Sequence, residues 1–181
     1  MSKILAFAGS NSSQSINHEL VSYVVNQLID EEVKLIRLTD YHLPIYQIDH
    51  EQEKGFPEDL EKLYDEIKAA NALIISVNEH NGMVSSFFKN VLDWLSRLDR
   101  NFLASKKVLL MSTSTGDNAA SASRAYVEIA VERYQGQLVS SFGFPSFPDN
   151  FDQEKNQITN EALELGVKDT LSQFQQEITL K

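Results

Sequence analysis

The chain has 181 residues, 42% of them apolar and 23% charged, about the length of one domain and too apolar for a disordered tail or a fibrous repeat. Sixteen basic against twenty-six acidic residues give a formal charge of −10, which repels nucleic-acid backbones and anionic lipid, and no Lys/Arg cluster breaks that pattern. There is no cysteine, so disulfides, thiolate metal ligands, cysteine nucleophiles and iron–sulfur ligation are excluded, and any electron chemistry falls to a bound cofactor.

Met-Ser-Lys leads into the apolar run Ile4–Ala8, too short for a secretory leader. No run approaches the ~18 apolar residues of a membrane span, so a soluble cytoplasmic protein is expected. Lys3–Ala8 reads as the first strand. A loop of small hydroxyl and amide side chains, Gly9 to Asn17, opens into a helix whose Leu20, Val24 and Leu28 recur at helical spacing. Val33–Leu38 is the second strand, and Asp40–Pro57, with Pro44 and Pro57, is a long peripheral connection. Leu60, Leu63 and Ile67 mark the next helix, and Ala72–Val77 the third strand. The loop Asn78–Gly82 and a helix over Ser85–Leu98 follow. Lys107–Ser112 is the fourth strand; after the loop Ser112–Asn118 comes a helix over Ala119–Tyr134, with Ala122, Tyr126, Ile129 and Ala130 on its apolar face. Leu138–Phe142 is the fifth strand, and Phe144–Asp152 a second long connection. A last helix after Asn160 carries Leu163, Val167, Leu171, Phe174 and Ile178 on one side.

Five strands alternate with five helices, and the strands are apolar on both faces, as a parallel sheet covered on both sides requires. Right-handed crossovers then favour one doubly wound domain over 1–181, with strand order 2-1-3-4-5. Its ligand lies beyond the carboxyl ends of strands 1 and 3, so the loops after strands 1, 3 and 4 carry the interest. The run Gly9-Ser10-Asn11-Ser12-Ser13-Gln14-Ser15-Ile16-Asn17 offers helix-start N–H groups and hydroxyls to a phosphate, or simply caps the helix. Neither a GxGxxG fingerprint nor a GxxxxGK[ST] loop is present. His18, His42 and His50 have no metal-ligand partner at helical or hairpin spacing.

After the third strand the chain reads Asn78-Glu79-His80-Asn81-Gly82, then Lys89-Asn90-Val91-Leu92-Asp93-Trp94-Leu95-Ser96-Arg97. Together with the first loop, GSNSSQSIN, these motifs resemble the NAD(P)H-dependent FMN reductase family of flavodoxin-like proteins, which includes quinone, azo-dye and chromate reductases. The resemblance runs in register along most of the chain. It implies a flavodoxin-like three-layer sandwich, FMN as cofactor and NADPH or NADH as electron donor. It also implies a small-molecule acceptor and no catalytic side chain. By the same resemblance Ser10, Ser12, Ser15, Asn17 and the backbone of Ile16 hold the FMN phosphate. Asn78, Glu79, His80, Asn81 and Gly82 wrap the isoalloxazine edge, and Ser114, Thr115 and Gly116 flank its other side.

Several positions depart from the family pattern. Ser12 stands where the family has arginine, Asn78 where it has proline, His80 where it has tyrosine, and Ser85-Ser86 where it has proline-glycine. Exchanging a charge-assisted hydrogen bond for a neutral one at Ser12 predicts roughly tenfold weaker FMN binding. Asp117 is expected to bring a negative charge near the cofactor. The strip Phe87, Phe88, Val91, Leu92, Trp94, Leu95, Leu98 is wider than one buried face needs, which predicts a second helix packed on it, hence a homodimer or a tetramer. Two other readings are an electron carrier of this fold that docks a protein, and a binding protein that has lost the flavin.

Overall fold

The computed structural model describes residues 2–179; the ends of the expected domain, Met1, Leu180 and Lys181, lie outside the described residues. In chain order the elements are β1 (Lys3–Ala8), α1 (Ile16–Val25), β2 (Glu32–Leu35), α2 (Ile48–Lys54), α3 (Glu58–Ala69), β3 (Ala72–Val77), β4 (Glu79–His80) and β5 (Met83–Val84). They continue with α4 (Ser86–Leu98), β6 (Lys107–Thr113), α5 (Ser121–Arg133), β7 (Gln137–Phe144), α6 (Phe147–Asn150), β8 (Phe151–Asp152), β9 (Gln157–Ile158) and α7 (Glu161–Thr179). The main sheet is parallel with order β2-β1-β3-β6-β7, the expected 2-1-3-4-5 arrangement of a flavodoxin-like sandwich.

Alternating side chains of the three central strands enter two different cores. Leu5, Phe7, Leu73, Ile75, Val108 and Leu110 pack with α3, α4 and α5 on one face. Ile4, Ala6, Ala72, Ile74, Leu109 and Met111 pack with α1 and α7 on the other. A period of two with both phases apolar is what a doubly covered strand demands. Among the described residues no helix is long and apolar enough to cross a membrane.

The differences from the expected elements have local causes. The second strand stops at Leu35 rather than Leu38. It has β1 as its one neighbour, the ladder ends with Ile36 N–H on the Ala6 carbonyl, and Leu38 then dives into the α3–α5 core within a 3-10 turn. Asp40–Pro57 contains α2, and Phe144–Asp152 contains α6 and the first strand of the β8–β9 hairpin. Helix α5 starts at Ser121 because Ala119 and Ala120 are left-handed, with φ of 51° and 53°. Its buried residues are Ser123, Val127, Ala130 and Val131; Ile129 and Ala122 are exposed.

The apolar strip of α4 is covered by the chain's own connection. Trp94 is fully buried, and its indole N–H donates to the Pro44 carbonyl at 2.7 Å. Tyr46, His50 and Phe56 meet its ring edge-on. Asn90 donates to the same carbonyl at 2.9 Å and accepts from Tyr46 N–H at 2.8 Å, while Arg97 clamps Glu51 in a bidentate pair at 2.8 and 2.9 Å. That guanidinium holds the Glu51 carboxyl below the usual carboxylate range. The width of the strip therefore no longer argues for a second helix from another copy. Trp94 is the single tryptophan, so its fluorescence is expected to be blue-shifted and independent of protein concentration. Tyr46→Ala should move the emission to longer wavelength; a native emission that shifts on dilution instead would show that another copy covers the ring.

Candidate functional site

Three loops meet at the carboxyl edge of β1, β3 and β6, where the winding reverses. The first leaves β1 through Gly9, whose N–H donates to the Ser76 carbonyl at 2.8 Å and whose carbonyl accepts from Ser85 Oγ at 3.0 Å. A Cβ there would lie 2.8 Å from the buried Phe88 ring, so only glycine fits between the loop and α4. Ser10 Oγ then accepts from Ser12 N–H and Ser12 Oγ from Gln14 N–H, each at 3.2 Å, so the two hydroxyls shape the loop as acceptors and keep their own protons to donate. Ser15 caps α1, accepting from His18 N–H at 3.2 Å. Among the described residues the N–H groups of Ile16 and Asn17 have no partner, as expected of a first helical turn. Burial, reinforced by the Arg37 guanidinium, holds His18 below the ordinary imidazole value, so the ring is neutral near pH 7.

The Asn17 side chain, expected on a phosphate, is committed inside the protein. It is buried, its Oδ1 accepts from Ser76 Oγ at 2.7 Å and from Thr113 N–H at 3.1 Å, and its Nδ2 donates to the Thr113 carbonyl at 3.1 Å. It pins α1 to the ends of β3 and β6, and only its backbone N–H stays available.

In the second loop Asn81 and Gly82, with φ of 53° and 75°, form the two-residue turn of the β4–β5 hairpin. His80, Asn81 and Gly82 are exposed on that hairpin and do not line the cleft between the loops. Asn78 Nδ2 lies 3.3 Å from His80 Nε2, and Asn78 Oδ1 is a buried acceptor without a partner among the described residues. Glu79 reaches across to α5, where its Oε2 accepts from Ala122 N–H at 3.0 Å and from Ser123 N–H at 3.1 Å.

In the third loop Ser114 Oγ donates to the Gly116 carbonyl at 3.0 Å, while the Ser114 and Gly116 carbonyls accept from Phe147 and Ser146 N–H. Asp117 accepts from Ser146 Oγ at 2.7 Å and, with Gly116, lies outside the cleft, so the expected negative charge beside a ligand is turned away. Left-handed backbone at Ala119 and Ala120 costs on the order of 1–2 kcal/mol per residue, offset by Ser112 Oγ on the Ala119 carbonyl at 2.5 Å and by Asn118 Oδ1 on Ala120 N–H at 3.3 Å.

The resulting cleft has a volume of about 330 Å³, at the lower end of the range of roughly 300–1,000 Å³ usual for ligand sites. Ser10, Ser12, Ser15, Ile16 and Asn17 line it from the first loop, Asn78 and Glu79 from the second, and Ser114 and Thr115 from the third. Gln14 and Thr113, which the sequence did not single out, complete it; both adjoin motif residues, and that adjacency is the signal that could have found them.

A family model described as NADPH-dependent FMN reductase matches residues 2–146. The chain belongs to this family. Among its relatives, the quinone reductase of Escherichia coli K12 is 42% identical over 74 residues, 41% of this chain and 39% of that protein. An NAD(P)H-dependent FMN reductase of Pseudomonas aeruginosa is 30% identical over 118 residues, 63% of this chain and 60% of that protein. The chain thus spans under two thirds of the length of the relatives it matches. The fold is shared with the flavoenzyme NAD(P)H:(acceptor) oxidoreductase FerB from Paracoccus denitrificans, at TM-score 0.78 and 21% identity over 99% of this chain and 98% of that one. It is also shared with an apo NADH:FMN oxidoreductase, at 0.75 and 19% identity over 100% and 92%.

Asn17→Ala would strand the Ser76 hydroxyl and both backbone groups of Thr113. Urea unfolding without any ligand should therefore show a loss of about 3 kcal/mol; unchanged stability would mean that this amide does not hold the three loops together.

Proposed function

We propose that this chain acts as a single-domain, FMN-dependent NAD(P)H oxidoreductase. The reading is carried by the convergence of three loops at the reversal of the sheet, in a cleft with unused N–H donors at the start of α1. The donor set fits a phosphate: the N–H groups of Ile16 and Asn17 sit at the positive end of α1, and the hydroxyls of Ser10 and Ser12 have protons to give. Glu79, whose carboxylate lines the cleft, is turned to the start of α5 and its charge offset there.

Bound FMN would supply the redox chemistry, taking two electrons as hydride from NADH or NADPH and giving them to a quinone, azo compound, free flavin or similar small acceptor. The protein's share is to anchor the phosphate on α1, to hold the ring between the Asn78–Glu79 and Ser114–Thr115 walls, and to leave one side open for donor and acceptor in turn. No side chain of the cleft need act as acid, base or nucleophile. Partnership with a second copy, in the cytoplasm, belongs to the same reading. Its support is now the exposed Ile45, Ile48 and Met83 on the segments flanking α4.

Titrating the purified protein with FMN should develop the absorbance of bound flavin, and anaerobic NADPH should then bleach it. No uptake would overturn the cofactor assignment, and uptake without bleaching would favour an electron carrier. Ser12→Arg, which adds a charged donor to the first loop, should tighten FMN binding about tenfold in a fluorescence titration at low salt. Unaltered affinity would place the phosphate elsewhere.

A further inference from the structure

We propose that Glu79 is a positioning residue of the cleft: by capping α5 it locks the β4–β5 hairpin to the segment 114–120 and so sets the spacing of two of the three walls. The inference rests on the reading of the cleft as an FMN site.

Helix α5 begins without a cap of its own. Ala120 stands at the cap position with no side-chain acceptor, and both it and Ala119 are left-handed. The first N–H groups are served instead by Glu79, 43 and 44 residues earlier in the chain, through the 3.0 and 3.1 Å bonds to Ala122 and Ser123. Asn118 Nδ2 approaches the second carboxylate oxygen at 3.5 Å. Supplying the acceptor from the hairpin makes the start of α5 and the position of the hairpin one mechanical unit.

The hairpin needs such an anchor. It has two residues per strand, and a hairpin of that size has little stability of its own. Its first residue, Glu79, lines the cleft beside Asn78, and the segment that runs into α5 lines the opposite wall with Ser114 and Thr115. The bond from Glu79 therefore spans the cleft's rim, as Asn17 spans its floor. The same contact places the carboxylate against the positive end of α5, so that it does not repel a phosphate held by α1.

The test compares the full chain with Glu79→Ala and Glu79→Gln. Three quantities are measured: the FMN dissociation constant, the position of the visible band of bound flavin, and the thermal midpoint. Glu79→Ala should raise the dissociation constant about tenfold and shift the band. Glu79→Gln, whose amide oxygen still accepts both N–H groups, should stay within about threefold of the parent. Parent-like affinity in Glu79→Ala, or hydrogen exchange that speeds at 121–123 but not in the hairpin 80–84, would overturn the proposal and leave Glu79 as a helix cap alone. If the parent takes up no FMN, the cofactor reading falls, and hydrogen exchange of the ligand-free proteins decides the tether. Glu79→Ala should then speed exchange in the hairpin 80–84 as well as at 121–123; an unchanged hairpin would refute it.

Discussion

Parallel strands that end together leave their last backbone groups pointing at one another's loops, and in this fold a single buried amide organises them. Asn17 both donates to and accepts from Thr113 and accepts from Ser76, so α1, β3 and β6 share one junction at the point where the sheet reverses its winding. Every wall of the cleft is referred to that junction. The first loop is further fixed by Gly9 against Phe88 and Ser85, and the third by Ser114 and Gly116 against the corner after β7. Because the amide is consumed in this work, the donors of the first loop without a protein acceptor among the described residues are the backbone N–H groups of Ile16 and Asn17 and the hydroxyls of Ser10 and Ser12, which have little conformational freedom to lose.

Electrostatics follow the same economy. The chain carries a formal charge of −10, yet three carboxylates near the cleft are directed to donors of the protein. Glu79 faces α5, Asp117 faces Ser146, and Glu19 accepts from Gln153 Nε2 at 2.7 Å. Screening over about 8–10 Å then leaves the N–H groups of α1 as the dominant local field. An acidic net charge and a helix start with unpartnered N–H donors are compatible because the two act at different ranges.

The strand order, the existence of the five main helices and the three loops were legible in the sequence because period and loop chemistry are local properties. What escaped depends on residues far apart in the chain. Nothing near Glu79 reveals that its acceptor oxygens serve Ala122 and Ser123, and nothing near Trp94 shows that Pro44, Tyr46 and Phe56 cover it. The side-chain partners of Asn17, Ser76 and Thr113, lie 59 and 96 residues further along the chain, beyond the reach of a local reading. The Asn81-Gly82 turn is a different case, since this dipeptide is in itself a local hairpin signal.

The order of the main sheet bears on how the molecule is made. β2 joins one side of β1, and thereafter β3, β6 and β7 are each laid on the other side, in the sequence in which a ribosome releases them. No late strand has to be threaded between two that are already paired, so the nascent chain can extend its sheet outward from β1 at one growing edge. Domains begin to fold while synthesis continues, at about 5–20 residues per second. On that timescale an edge that grows in one direction keeps unpaired backbone exposed only until the next strand emerges.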